Sequence, residues 1–193
     1  MMRNFLTALF AVASIFSSCG GDYTPKPRGY YKIDLPENKF QTYSSTCPFS
    51  FDFSMYAAVL PDKNKDAKPC WIDIYYPQFN GRVHLSYQSF SNRGQFDALV
   101  EDARTFAFKH TVKATAIDEA MISYPEKKVY GIYYSIDGNT ASSVQFFLTD
   151  STKNYLRGAL YFNEQPRLDS IQPVLDFIKK DIDHMIKTFS WQE

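Results

Sequence analysis

Three cysteines and three histidines are the side chains of this 193-residue chain best suited to chemistry beyond packing. Cys19 follows two small residues, Ser17 and Ser18, at the end of an uncharged run from Phe5 to Phe16. Small residues leave a slim approach to a diacylated cysteine, so the arrangement fits a lipoprotein signal peptidase site with lipidation of Cys19. Phe16 stands where Leu is more usual, and an ordinary signal peptide cut nearby, or an uncleaved anchor, is the alternative. After processing, Cys47 and Cys70 are the remaining cysteines. In an exported, oxidising compartment they form a candidate disulfide, with two buried free thiols as the other reading. Each sits beside a proline at the edge of a strand-like run, where a bridge would close a hydrophilic loop.

Catalytic patterns give less. His84, His110 and His184 are scattered, and no Cys or His pair has ligand spacing, so neither a metal nor a cofactor is expected. No serine lies in a G-x-S-x-G turn, and neither S-x-x-K nor H-E-x-x-H occurs. Asp73, Asp97, Glu101, Asp118, Glu119 and Asp137 are available to act in pairs, yet no spacing selects two of them. The expectation is a protein that is not an enzyme. Removal of residues 1–18 takes Arg3 away and leaves a formal charge of about −1, so no basic excess points to nucleic acid. The tyrosine pairs Tyr30-Tyr31, Tyr75-Tyr76 and Tyr133-Tyr134 should each send one ring inward and one outward on a strand. Outward rings suit binding surfaces, although aromatics are also simply good strand residues.

These residues must be carried by a definite set of elements. Residues 1–18 read as a lipoprotein signal peptide: the apolar run is about 12 residues, short of the roughly 20 that span a bilayer. Residues 19–29, rich in Gly and Pro, read as a lipidated flexible tether, and residues 30–193 as a single globular domain. No later apolar stretch reaches spanning length, so the lipid is the expected membrane attachment. Alternation predicts strands at 47–53, 71–76 and 82–87, the last two joined as a hairpin through Pro77–Gly81. The segment between Ala58 and Pro69, with its PDKNKDAK run, reads as a charged loop. Phe96, Leu99, Val100, Ala103, Phe106 and Ala107 share one helical face, with Asn92 as cap and Gln95 three residues on. Four further strands are predicted at 117–124, 128–136, 142–149 and 155–162, forming an antiparallel meander. A closing helix carries Ile171, Val174, Leu175, Ile178, Ile182, Met185, Ile186 and Phe189 as one stripe, with Ser170 as candidate cap and Pro173 in the first turn. The fold class is therefore α+β, a mainly antiparallel sheet with two packed helices. In outline that order resembles Mog1 and PsbP, and fold alone does not fix function.

The stretches YTPKPRGYYKIDLPE (23–37), CPFSFDF (47–53), CWIDIYYPQFNGRVHLSY (70–87) and DARTFAFKHTVKA (102–114) occur in this order. They are followed by VYGIYYSIDGNTASSVQFFLTDS (129–151), LRGALYFNEQP (156–166) and KKDIDHMIKTFSW (179–191). Together they resemble the gliding-motility lipoprotein GldD family, over nearly all of the chain after Cys19. The resemblance implies a part in the envelope apparatus of gliding and its associated type IX secretion system. It brings no catalytic residues, and the implied partners are other envelope proteins of that apparatus. Asp22 alone after Gly20-Gly21 matches poorly the acidic run of surface-exported lipoproteins in this group, so a periplasm-facing position on the membrane is expected. The reading from a different class is a periplasmic small-ligand or lipid-binding module, which calls for an apolar pocket between sheet and helix.

Overall fold

The computed structural model describes residues 33–163 and 168–192. The signal peptide, Cys19, the tether, Tyr30, Tyr31 and the side chain of Ser170 lie outside the described residues. Ten strands and two helices follow one another as β1 (Phe40–Tyr43), β2 (Phe49–Ser54), β3 (Ala58–Pro61), β4 (Ile72–Tyr76), β5 (Gly81–Ser89), α1 (Arg93–Phe108), β6 (Ala114–Tyr124), β7 (Val129–Gly138), β8 (Val144–Thr149), β9 (Asn154–Phe162), α2 (Leu168–Thr188) and β10 (Ser190–Trp191). Seven strands form one sheet in the order β3-β4-β5-β9-β8-β7-β6, and β1-β2-β10 form a second, smaller one. Every pairing is antiparallel, so the α+β class with two helices on a mainly antiparallel sheet holds.

Period-two alternation divides the large sheet into two unlike faces. On β5, Val83 and Leu85 turn into the main core with Leu148, Leu156 and Leu160 of the neighbouring strands. α2 covers that face with Leu175, Ile178, Ile182, Met185 and Ile186, and the small sheet adds Phe49 and Phe51. Burying one such aliphatic side chain contributes about 1.5–3 kcal/mol, so this layer carries most of the stability. The opposite face is covered in part by α1, which buries Ala103 and Ala107 against Tyr134, Ile136, Phe147 and Tyr155. The Asn92 side chain accepts from the Gln95 backbone N–H as its cap position predicts, while Gln95 Oε1 accepts from the Ser91 backbone N–H, one residue before the Asn92 N–H of a capping box. Gly158 lets the Phe146 ring lie flat over β9: a Cβ there would stand 2.1 Å from the ring.

Cys47, just before β2, is joined to Cys70, just before β4, by a disulfide with Cα atoms 5.6 Å apart. The bridge ties the small sheet to the large one. For its sequence separation of 23, loop-closure entropy alone corresponds to about 3 kcal/mol.

The helices, the hairpin and the four-strand meander lie where their periodicity placed them. Three short strands depart from the sequence reading. β1 and β10 add to the small sheet, and Ala58–Pro61, read as part of a loop, pairs with β4 as β3. α2 begins at Leu168, so Ser170 lies inside the helix and Pro173 falls in its second turn, not its first.

Candidate functional site

On the α1 side of the large sheet, a strip of polar side chains runs across β4, β5 and β9, and Phe106 of α1 reaches only its Arg157 end. The register places Asp73 opposite His84, Tyr75 opposite Arg82, and Arg82 opposite Tyr161. Farther along β5 and β9, His84 faces Ala159, Ser86 faces Arg157, and Gln145 of β8 faces Ala159. Residues that are direct cross-strand neighbours share a face, so the strip is polar by construction.

Asp73 is its centre. Although only 3% exposed, it accepts from Arg82 Nη1 at 3.0 Å through one oxygen, while His84 Nδ1 lies against the other. The Arg82 guanidinium also sits 4.6 Å over the Tyr75 ring, and the His84 ring meets Tyr161 edge-on at 5.6 Å. A charged hydrogen bond and a cation–π contact together hold Arg82 in place. Toward α1, Arg157 Nη2 donates to Gln145 Oε1 at 2.6 Å and stacks 4.5 Å over Phe106. Burial, with the positive charge of Arg157, pushes the His110 imidazole below its ordinary value. The strip thus offers hydroxyls, a guanidinium, an imidazole and ring faces side by side. Such a surface can hydrogen-bond and stack against a polar partner.

The same corner brings one ligand atom each of Asp62, Asp73 and His84 within 4.8 Å of one another. These could supply three ligands to a divalent ion, but the guanidinium of Arg82 already occupies one oxygen of Asp73. The geometry is that of an ion-pair network first.

A second constellation lies on the α2 side. Asp181, 2% exposed, accepts a hydrogen bond from the Tyr56 hydroxyl through Oδ2, with fully buried Ser54 alongside. Burial raises the Asp181 carboxyl above its ordinary value, and the Tyr56 hydrogen bond and nearby His184 only partly oppose this. Burial raises Tyr56 as well, helped by its bond to Asp181. His184, one turn along α2, stacks on Phe40 at 3.7 Å, and its Nε2 is 3.6 Å from Asp52 Oδ2. These contacts fix α2 to β1, β2 and the turn before β3.

Of the residues singled out from sequence, the structure brings Cys47 to Cys70, and Asp73 to His84. Asp97 pairs with Arg93 on the exposed surface of α1, Asp118 and Glu119 point to opposite faces of β6, and each histidine has its own neighbours. Tyr76 is buried while Tyr75 carries Arg82, one inward and one outward as alternation requires. Tyr133 and Tyr134 also diverge, the first toward the α2 core and the second under α1. The Asp181–Tyr56 pair escaped the sequence reading. Its signal was a carboxylate three residues after Ile178 and four before Met185, on the apolar stripe itself. Between the large sheet and α2, where a ligand-binding module would need a cavity, Val83, Leu148, Leu160, Ile178 and Ile182 pack with no exposed surface.

The profile of the family described as gliding motility lipoprotein GldD matches residues 20–191. No curated protein sequence matches the chain. Among solved structures, the chain is similar to the solution structure of cyanobacterial PsbP (CyanoP) from Synechocystis. Identity is 12% over 92% of this chain and 99% of that chain, with a TM-score of 0.45. Among the described residues no helix is long and apolar enough to cross a membrane.

Proposed function

The chain belongs to the gliding motility lipoprotein GldD family, and from that premise we propose that it works without catalysing a reaction, as a component supporting the assembly or stability of the gliding-motility and type IX secretion apparatus. The observation that carries this reading is the family match across residues 20–191, which covers every described strand and helix. As a gliding motility lipoprotein it is an envelope protein anchored to a membrane. In this proposal Cys19 carries the lipid, the domain faces the periplasm, and its partners are other envelope proteins of the same apparatus. The polar strip around Asp73 supports a contact role: its charged groups are already engaged with each other, which leaves ring faces and hydrogen-bonding edges to a partner.

The test is genetic. In a strain lacking the gene, type IX cargo in the culture fluid is expected to fall strongly and to return when the gene is restored. A Cys19→Ala copy is expected to restore less, because the protein leaves the membrane fraction. Normal cargo in the deletion strain would overturn the proposed role, and a Cys19→Ala protein that stays with the membrane would overturn the anchor.

A further inference from the structure

The large sheet ends in two edges that are treated differently. At one end β3 is four residues long and finishes at Pro61, which cannot donate to a new ladder, and a charged run from Asp62 to Asp66 follows it. Short length and a terminal proline blunt this edge. At the other end β6 runs for 11 residues, pairs on one side with β7, and has no strand on its outer side among the described residues. It contains no proline and no lysine, and its register irregularity is confined to the Ala114–Ala116 end, so Ala116–Tyr124 pairs with β7 in unbroken register. Alternate residues of this long strand turn their backbone N–H and C=O groups outward, a template for another chain.

The side chains along this edge are specific in character. Toward α1, Met121 is 86% exposed, next to Glu119 and Ser123. Toward α2, Ala120, Ile122 and Tyr124 line a groove of about 350 Å³ with Tyr133 of β7 and Ile186 of α2. Asp183 and Lys187 form its far rim. Asp118 and Glu119, both exposed, lie at mid-strand and make no ion pair among the described residues. The longest antiparallel pairing of two copies would centre on Glu119 and set it against its own copy, and like charges directly opposite are destabilising. A different chain with a cation at that position has no such conflict.

We propose that the outer edge of β6 is a docking site for an extended, basic segment of a partner protein, which joins the sheet as an added strand. Its backbone takes up the outward-facing groups of β6, alternate side chains enter the groove beside Ile122, and a lysine or arginine on the α1 side meets Glu119. The inference rests on the contact role proposed above only in that it supplies a place for a partner.

Purified full-length mature protein keeps the test separate from any effect on secretion. The probe is a synthetic extended peptide alternating lysine and valine, with a glutamate–valine peptide as control. Backbone amide exchange over residues 114–124 is expected to slow at least tenfold with the basic peptide and to be unchanged with the acidic one. Glu119→Lys, at an exposed position on the α1 side, is expected to abolish the protection while the thermal melt stays intact. Met121→Lys is expected to weaken it. Equal protection by both peptides, protection outside β6, or none would overturn the proposal. So would protection that grows with protein concentration alone, which would assign the edge to a second copy. Loss of the secretion role with basic-peptide protection intact would remove the proposed function and leave this docking edge standing.

Discussion

The two faces of the large sheet carry helices of very different weight. α2 seals its face with Leu175, Ile178, Ile182, Met185 and Ile186, all buried, whereas α1 buries two alanines and leaves Phe106 43% exposed. α2 continues into the small sheet through Phe189, whose ring packs 5.9 Å from Phe49 and 4.8 Å from Trp191. α1 is instead tied down by polar and edge contacts, such as the Tyr155 hydroxyl donating to the Leu99 carbonyl at 3.0 Å. One face is built to hold the molecule together; the other is thinly covered and leaves the Asp73 strip open for contact. The lesson is that stability and surface chemistry are divided between the two sides of one sheet.

The largest effect that tests this division is expected from Ile182→Ala, which empties the centre of the α2 layer. Chemical denaturation should show a loss of about 3–4 kcal/mol, in the range of large-to-small core changes. Leu99→Ala on the half-buried side of α1 should cost about 1 kcal/mol, because solvent and neighbouring side chains can occupy part of the space. Equal losses for the two variants would break the comparison.

The smallest effect is a slope. Asp181 has its carboxyl raised by burial, so the folded chain holds a proton there more tightly than the unfolded chain does. Its penalty is absent below the unfolded value of about 3.8 and grows as pH rises through the folded value, so this group makes the protein less stable toward neutral pH. Melting temperatures of wild type and Asp181→Asn should therefore diverge in favour of the variant as pH increases from about 4, since asparagine can still accept from Tyr56. A gap that stays constant with pH would show that burial of the charge is not what Asp181 contributes to the α2 face.

Much of this architecture is legible in the amino-acid sequence. Long amphipathic patterns predict themselves: the stripe from Val174 to Phe189 and the Asn92 cap each have one sensible structural outcome. β1, β3 and β10 were not legible because strands of two to four residues carry too little periodicity and take their register from a partner. The Asp73–His84 contact was half legible. The hairpin was expected, but its exact pairing depends on the turn that ends at Asn80, where φ is 48°, and a one-residue slip would move every side chain to the other face. Asp181 with Tyr56, and His184 with Phe40, are brought together by tertiary packing across well over a hundred residues, and no local pattern foreshadows that.

The pairing of β10 with β2 also sets an order of events. Ser50 and Ser190 share a hydrogen bond across a sequence separation of 140, and Trp191 stands opposite Phe49. A chain delivered amino terminus first presents Phe49 and Phe51 early, yet the helix and strand that cover them arrive last. Until then those rings have Tyr43 and Tyr87 beside them and lack the cover of Phe189. Closure of the small sheet thus reports that residues 168–191 are in place, and a product that stops before Phe189 would keep the β2 edge open.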